Sequence, residues 1–361
     1  MKKTVVVGMS GGIDSTVTAL LLLTKGFHVI GITMSIWEGT EHQKNLREGC
    51  YGPKETIRIE DVKKVASMLG IEHHVIDLKK EFKKIVLEYC YIEYTSGRTP
   101  NPCIICNSEI KFNALLQNAL SAGINFDYTA TGHYARIIFD KTSQRFQLKR
   151  GADKAKDQSY FLYRLSQKQL SKTILPLGDY HKRETREIAA TNGFGWLTGR
   201  PESQDFIGWD GYKLFFGGQD RPGNIVDIQG NVIGRHKGIS RYTIGQRKGL
   251  NLAGMREPHF VMKIDAKKNE ITAGTKDMLL KKDLIASNAN WFIPLDEIDM
   301  PIYGQIRYRS KPALCTVYKI DNCRFRVMFH NPQEAITPGQ SIVLYQDDTL
   351  IGGGIIEDKY P

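Results

Sequence analysis

No stretch of this sequence is long and apolar enough to span a bilayer. Its longest uninterrupted aliphatic run, Ala19 to Leu23, is far shorter than the roughly 20 residues a membrane helix needs. The opening MKKTVVVGMSGG has no small-residue cleavage site, and its apolar part runs straight into glycines, so it does not read as a secretory leader. Together these features predict a cytoplasmic protein, with no membrane partner. Thiols stay reduced there, so the six cysteines do not form a disulfide framework. Cys50, Cys90, Cys103, Cys106, Cys315 and Cys323 are expected to be free, metal-bound or catalytic. Acidic residues are also in deficit: 39 Asp and Glu against 50 Lys and Arg leave a net charge of +11. Such a balance attracts polyanions by steering and counterion release, without proving that one is bound. There is no low-complexity tract and no internal repeat, and 361 residues suit two or three domains.

What is present alternates. Thr4 to Met9 is β-branched and apolar, the pattern of a strand buried on both faces. Asp14 to Lys25 has helical spacing and is closed by Gly26. Phe27 to Ile36 returns as strand, Ile59 to Leu69 as a helix ended by Gly70, and His74 to Leu78 as strand. Glu81 to Tyr94 and Asn107 to Ala122 read as helices, and Asp127 to Gly132 as strand. Strands separated by helices predict an α/β domain with an open, doubly wound parallel sheet, whose ligands sit at the carboxyl ends of its strands. Beyond Gly208 come short β-rich runs broken by Gly, Asn and Pro, such as NIVDIQGNVIG and QSIVLYQDDTLIGGGII. These predict small barrels or sandwiches. The expected partition is a catalytic domain over 1–207, a small β-rich middle domain over 208–280 and a C-terminal β-barrel over 281–361.

The first strand feeds Ser10-Gly11-Gly12-Ile13-Asp14-Ser15 and then a helix. Two glycines let backbone N–H groups turn inward, and the helix N-terminus adds positive potential, which together make a phosphate nest. No lysine follows in the position that grips β and γ phosphates in the GxxxxGK[ST] loop. SGGxDS instead resembles the loop of the ATP pyrophosphatase superfamily. That resemblance implies attack at the α phosphate and release of pyrophosphate. Asp14 is placed to hold Mg²⁺ with ATP, and Ser10 and Ser15 to donate to phosphate oxygens.

A second loop, Thr99-Pro100-Asn101-Pro102-Cys103-Ile104-Ile105-Cys106-Asn107, leads into a helix expected to begin at Ser108. Cys106 at the mouth of that helix, with Lys111 one turn in, is expected to have a lowered thiol pKa and to serve as a thiolate nucleophile. A CxxC pair is also half a zinc site, but no second close pair exists to complete one.

TPNPCIICNSEIKF, TGHYAR, KDQSYFL, YTIGQRKGL and PGQSIVLY follow SGGIDS in this order. Together they resemble the bacterial tRNA-specific 2-thiouridylase family over essentially the whole chain. The resemblance implies 2-thiolation of the tRNA wobble uridine, with tRNA and a persulfide-carrying sulfur donor protein as partners and no role for DNA. It assigns ATP binding to Gly8, Met9, Ser10, Gly11, Gly12, Ile13, Asp14, Ser15, Met34 and Gly132. It places Asn101, Pro102 and residue 103 at the target base and makes Cys106 the nucleophile. His133, Lys156, Asp157, Gln158, Arg307, Tyr308 and Gln340 are then the tRNA contacts. Tyr160, Phe161 and Tyr163 read as core rather than a stacking platform. Arg235, Lys237, Arg241, Arg247 and Lys248, clustered around Tyr242 with no acid between them, suit either phosphate contacts or a solvated basic face.

One departure from the family pattern matters. The family carries a second cysteine in a segment resembling S-x-x-I-C-F-I, but here the segment is Glu202-Ser203-Gln204-Asp205-Phe206-Ile207-Gly208, with Asp205 at the cysteine's place. Conversely, residue 103, an aspartate in many relatives, is Cys103. The expectation is that Cys103 and Cys106 form the working pair, one carrying sulfur and the other resolving it. A competing expectation is an iron–sulfur cluster on Cys103 and Cys106 with Cys50 as third ligand. Two other functions are weighed against thiolation. A small-metabolite ligase of the same superfamily would leave the cysteine loop unexplained. A non-catalytic tRNA-binding paralogue is hard to reconcile with an intact Asp14 and Cys106.

Overall fold

The computed structural model describes residues 2–39, 49–199, 220–252, 254–298 and 301–358. The segment carrying Asp205 lies outside the described residues. The chain divides into two compact units. One comprises Met1–Val86, Cys103–Tyr212 and Asp348–Leu350, the other Leu87–Pro102, Lys213–Asp347 and Ile351–Pro361. No helix among the described residues is long and apolar enough to cross a membrane.

In the first unit a five-stranded parallel sheet runs in the order Glu72–Asp77, His28–Ser35, Thr4–Gly8, Tyr128–Ala130, Thr173–Ile174. Val5, Val6 and Val7 are fully buried because Thr4–Gly8 is central and covered on both faces, which is why it reads as an unbroken apolar run. Helix Ile13–Thr24 buries Val17, Ala19 and Leu22 in the same core as Val62 and Val65 of helix Glu55–Leu69. That second helix ends at Gly70 in the left-handed region, φ +64°. The doubly wound sheet predicted from the sequence is present. An antiparallel hairpin, Ala135–Asp140 with Arg145–Arg150, also belongs to this unit and was not evident in the sequence.

The cysteine helix differs from its expected start. Pro102–Ile105 already forms a helical turn, followed by wider π-type turns over Cys106–Ala114 and an α-helix over Leu115–Ser121. Proline is well accommodated in a first helical turn, and Pro102 opens the helix.

The second unit holds two β assemblies. A four-stranded sheet runs in the order Phe260–Asp265, Glu270–Gly274, Gly223–Val226, Val232–His236 and packs over Ile225, Tyr242, Val261 and Ile271. A six-stranded antiparallel barrel is closed by pairing of Leu280–Trp291 with Thr349–Ile356, around Phe325, Val327, Ile342 and Leu344. The predicted β-rich middle region and terminal barrel are both present.

Candidate active site

The phosphate loop sits where strand Thr4–Gly8 ends and helix Ile13–Thr24 begins. Gly11 adopts φ +78°, and a Cβ there would lie 3.1 Å from the Arg58 carbonyl, so only glycine suits the turn. Ser15 Oγ donates to the Gly12 carbonyl at 3.0 Å and accepts from Ser10 N–H at 3.3 Å, which folds the loop back on itself. Neighbouring strands supply the flanks: Gly8 registers with Ile32, and Val7 with Ala130. Met34 and Gly132 therefore lie on either side of the loop along the same carboxyl edge. Gly132 approaches the helix start so closely that a Cβ would lie 2.9 Å from Asp14 C and Cβ. Gly132→Ala is expected to lower unfolding stability by about 1–3 kcal/mol through this overpacking. A urea titration with unchanged slope and a lower midpoint would show it; an unshifted midpoint would contradict it.

Asp14 is held by groups far away in the chain. Lys182 Nζ lies 2.7 and 2.8 Å from its two oxygens, and the Tyr134 hydroxyl donates to it at 2.8 Å. Lys182 is buried, and its ammonium sits 5.6 Å from the Tyr134 ring centre. Lys182 and Tyr134 are not among the residues that the sequence motifs single out. Tyr134 lies within TGHYAR and was within reach; Lys182 opens helix Lys182–Ala189, and nothing local marks it. Glu55 was also missed. Its buried carboxylate accepts from Ser35 Oγ at 2.7 Å and from the Ile36 and Trp37 N–H groups at 2.9 and 3.0 Å, fixing the turn after Met34.

Cys106 is buried, and burial pushes its thiol up to about 11, although Lys111 opposes this and Cys50 adds to it. The expectation of a lowered thiol pKa is therefore corrected. The helix starts at Pro102 rather than Ser108, so Cys106 lies inside it and not at its mouth, and desolvation outweighs the lysine. His133 is buried too, and burial, reinforced by Lys111, holds its imidazole neutral, well below its ordinary pKa. Its Nδ1 lies 2.7 Å from Thr131 Oγ1. Lys111 thus acts on both Cys106 and His133.

Three families match in sequence along the chain: the tRNA methyl transferase HUP domain over residues 3–208, the tRNA methyl transferase PRC-barrel domain over 217–275 and the aminomethyltransferase beta-barrel domain over 281–356. The chain is 42% identical to the tRNA-specific 2-thiouridylase MnmA of Acetivibrio thermocellus, with 99% of each chain covered. It is 43% identical to that of Carboxydothermus hydrogenoformans, over 99% of this chain and 98% of the relative. It is 44% identical to that of Lachnoclostridium phytofermentans, with 99% of each covered. The chain belongs to the tRNA-specific 2-thiouridylase family.

Set against this family's positions, several side chains are engaged inside the chain. Asp157 is buried and accepts from Arg150, Ser159 and the Gly151 N–H at 2.8–3.1 Å. Gln158 Oε1 accepts from the Tyr134 N–H at 3.1 Å, tying Lys156-Asp157-Gln158 to the His133 segment. Tyr160 and Tyr163 are core, as the sequence suggests. In the second unit, Arg307 donates to the Glu334 carbonyl at 3.3 Å, and Gln305 donates to the Tyr308 carbonyl at 2.7 Å. Arg235, Lys237, Arg247 and Lys248 are exposed. Arg241 is paired at 2.6 Å with Asp220, an acid too distant in sequence for the local pattern to reveal. Tyr242 is buried in that unit's core rather than displayed. Among the described residues no group of three His, Cys, Asp or Glu side chains is placed to hold a metal ion. The expected cluster on Cys50, Cys103 and Cys106 is not assembled in this arrangement.

Proposed function

We propose that this chain adenylates the C2 oxygen of the tRNA wobble uridine with ATP and then replaces that oxygen with sulfur. The observation that carries this reading is the SGGIDS turn, braced through Asp14 by Lys182 and Tyr134, in a chain matching 2-thiouridylases end to end.

Gly8 to Ser15 receive the phosphates through backbone N–H groups and the two serine hydroxyls, while Met34 and Gly132 wall the nucleotide. Asp14 fits Mg²⁺: it is an oxygen donor, 32% exposed at its side chain, and a single carboxylate suffices when phosphates supply further oxygens. Bound there, Mg²⁺ would neutralise phosphate charge. Lys182 supplies a second cation beside the leaving pyrophosphate. Asn101, Pro102 and Cys103 meet the uridine, with His133, Lys156, Arg307 and Tyr308 holding the RNA.

Cys103 and Cys106 lie one helical turn apart on one face. In our reading a persulfide-bearing carrier protein loads one of them. The outer sulfur of that persulfide attacks C2, and AMP leaves with the former C2 oxygen. The other cysteine, as thiolate, attacks the inner sulfur; the sulfur–sulfur bond breaks, 2-thiouridine is released and a Cys103–Cys106 disulfide remains. A dithiol reductant returns the pair to thiols.

The test is reconstitution with ATP, tRNA and a persulfide donor, followed by nucleoside mass analysis. Appearance of 2-thiouridine supports the proposal, and RNA-independent ATP/pyrophosphate exchange without thiolation would favour a small-metabolite ligase. Cys103→Ser is expected to cut multiple-turnover thiolation at least about 100-fold. Undiminished turnover would remove Cys103 from the pair.

A further inference from the structure

The stretch Leu87–Pro102 belongs to the same compact unit as the C-terminal β assemblies. Within that unit, Gly97 to Pro100 is held from several directions. The Thr99 N–H donates to the Pro338 carbonyl at 2.9 Å. Gln340 Nε2 donates to the Thr99 carbonyl at 2.9 Å and to the Pro100 carbonyl at 3.1 Å. Gly339, at φ +88°, sits so close that a Cβ would lie 2.9 Å from both Thr99 N and Thr99 O. Arg98 reaches Glu93 at 2.9 Å and Asp358 at 3.0 Å. From the four-stranded sheet's side, Thr99 Oγ1 donates to Thr243 Oγ1 at 3.1 Å, and a Cβ on Gly97 would lie 2.8 Å from Ile264 Cγ2. Asn101, Pro102 and Cys103 follow directly in the chain.

The chemistry of this clamp selects glutamine. Pro100 and Pro102 have no N–H, so the loop cannot fold by regular backbone pairing. Two successive carbonyls need donors, and a carboxamide offers two N–H bonds without a charge. We infer that Gln340 is a positioning residue for the target-base loop. It acts through the Thr99 and Pro100 carbonyls to fix the backbone from which Asn101 and Cys103 project. The Pro338-Gly339-Gln340 turn of the terminal barrel thereby holds the backbone that leads directly into Asn101 and Pro102. This deepens the proposed thiolation and rests on that reading.

The experiment uses the full-length chain with Gln340→Met, which keeps the side chain's length and removes both donors, and with Gly339→Ala, which keeps Gln340 but presses on Thr99. Three quantities are read: hydrogen exchange at the Thr99 amide without RNA or ATP, tRNA Kd, and kcat at saturating tRNA. In Gln340→Met, exchange at Thr99 is expected to rise at least about tenfold as the local opening becomes easier. Turnover is expected to fall roughly 10- to 100-fold, the cost of a displaced reacting group. The tRNA Kd should stay within about twofold, because RNA held elsewhere is not released. A raised Kd with full kcat and unchanged exchange would overturn the inference and leave Gln340 a plain RNA contact. If Gln340→Met fails to fold, Gly339→Ala decides: lowered kcat at unchanged Kd supports the clamp, and wild-type kcat overturns it. If the unaltered chain makes no 2-thiouridine, the functional reading fails, and the exchange result still decides whether Gln340 holds the loop.

Discussion

Cys106→Ser should abolish 2-thiouridine formation, by at least about 1,000-fold, while ATP and tRNA still bind. A hydroxyl fills nearly the same volume, so the helix should remain, but it cannot enter a disulfide or break a persulfide. The expected signature is therefore loss of product without loss of ligand affinity, read by nucleoside mass analysis beside tRNA and ATP titrations. Burial adds a second, pH-dependent expectation. Because the folded thiol is pushed up to about 11, it is protonated across the neutral range and ionises only as the pH rises towards that value. Alkylation of Cys106 in the free protein should climb about tenfold per pH unit up to about pH 11, without the earlier plateau of an ordinary thiol. Rapid labelling at neutral pH would contradict the burial. On the proposed mechanism, turnover at neutral pH requires that substrate binding change the surroundings of this sulfur.

Lys182→Met is the second large effect. Its ammonium lies within 2.8 Å of both Asp14 oxygens, and Met keeps the buried stem while removing the charge. ATP/pyrophosphate exchange in the presence of tRNA is expected to fall at least about 100-fold, since a preorganised cation beside the leaving group is lost. The uncompensated Asp14 should also cost about 1–3 kcal/mol of stability, less than for a fully buried pair because that carboxylate still reaches solvent. Thermal unfolding of the variant measures this cost. Wild-type exchange in a folded Lys182→Met protein would show that the lysine serves structure alone.

The sheet was legible because its central strand is covered on both faces, so Thr4–Gly8 reads as apolar without alternation. Glycines at its end marked the phosphate turn. The terminal barrel was legible from its short β-rich runs broken by Gly, Asn and Pro. Other features escaped because they depend on contacts remote in sequence. Asp14 and Lys182 are 168 residues apart, and no local pattern joins them. The acidity of Cys106 was misread because Lys111 is visible in the sequence and desolvation is not. The helix start at Pro102 rather than Ser108 escaped because nothing local separates a proline within a loop from one that opens a helix. Arg241 looked unopposed until Asp220 came into contact. The grouping of residues 87–102 with the β assemblies also has no sequence signal, because it rests on the backbone carbonyls of Thr99 and Pro100.

The most direct test follows one oxygen atom. tRNA carrying ¹⁸O at C2 of the wobble uridine is incubated with this chain, unlabelled ATP and a persulfide donor, and the AMP is analysed by mass spectrometry. Transfer of that label into AMP, matched to the 2-thiouridine formed, is the result predicted here. Unlabelled AMP accompanying the same yield of 2-thiouridine would show that the C2 oxygen is never adenylated.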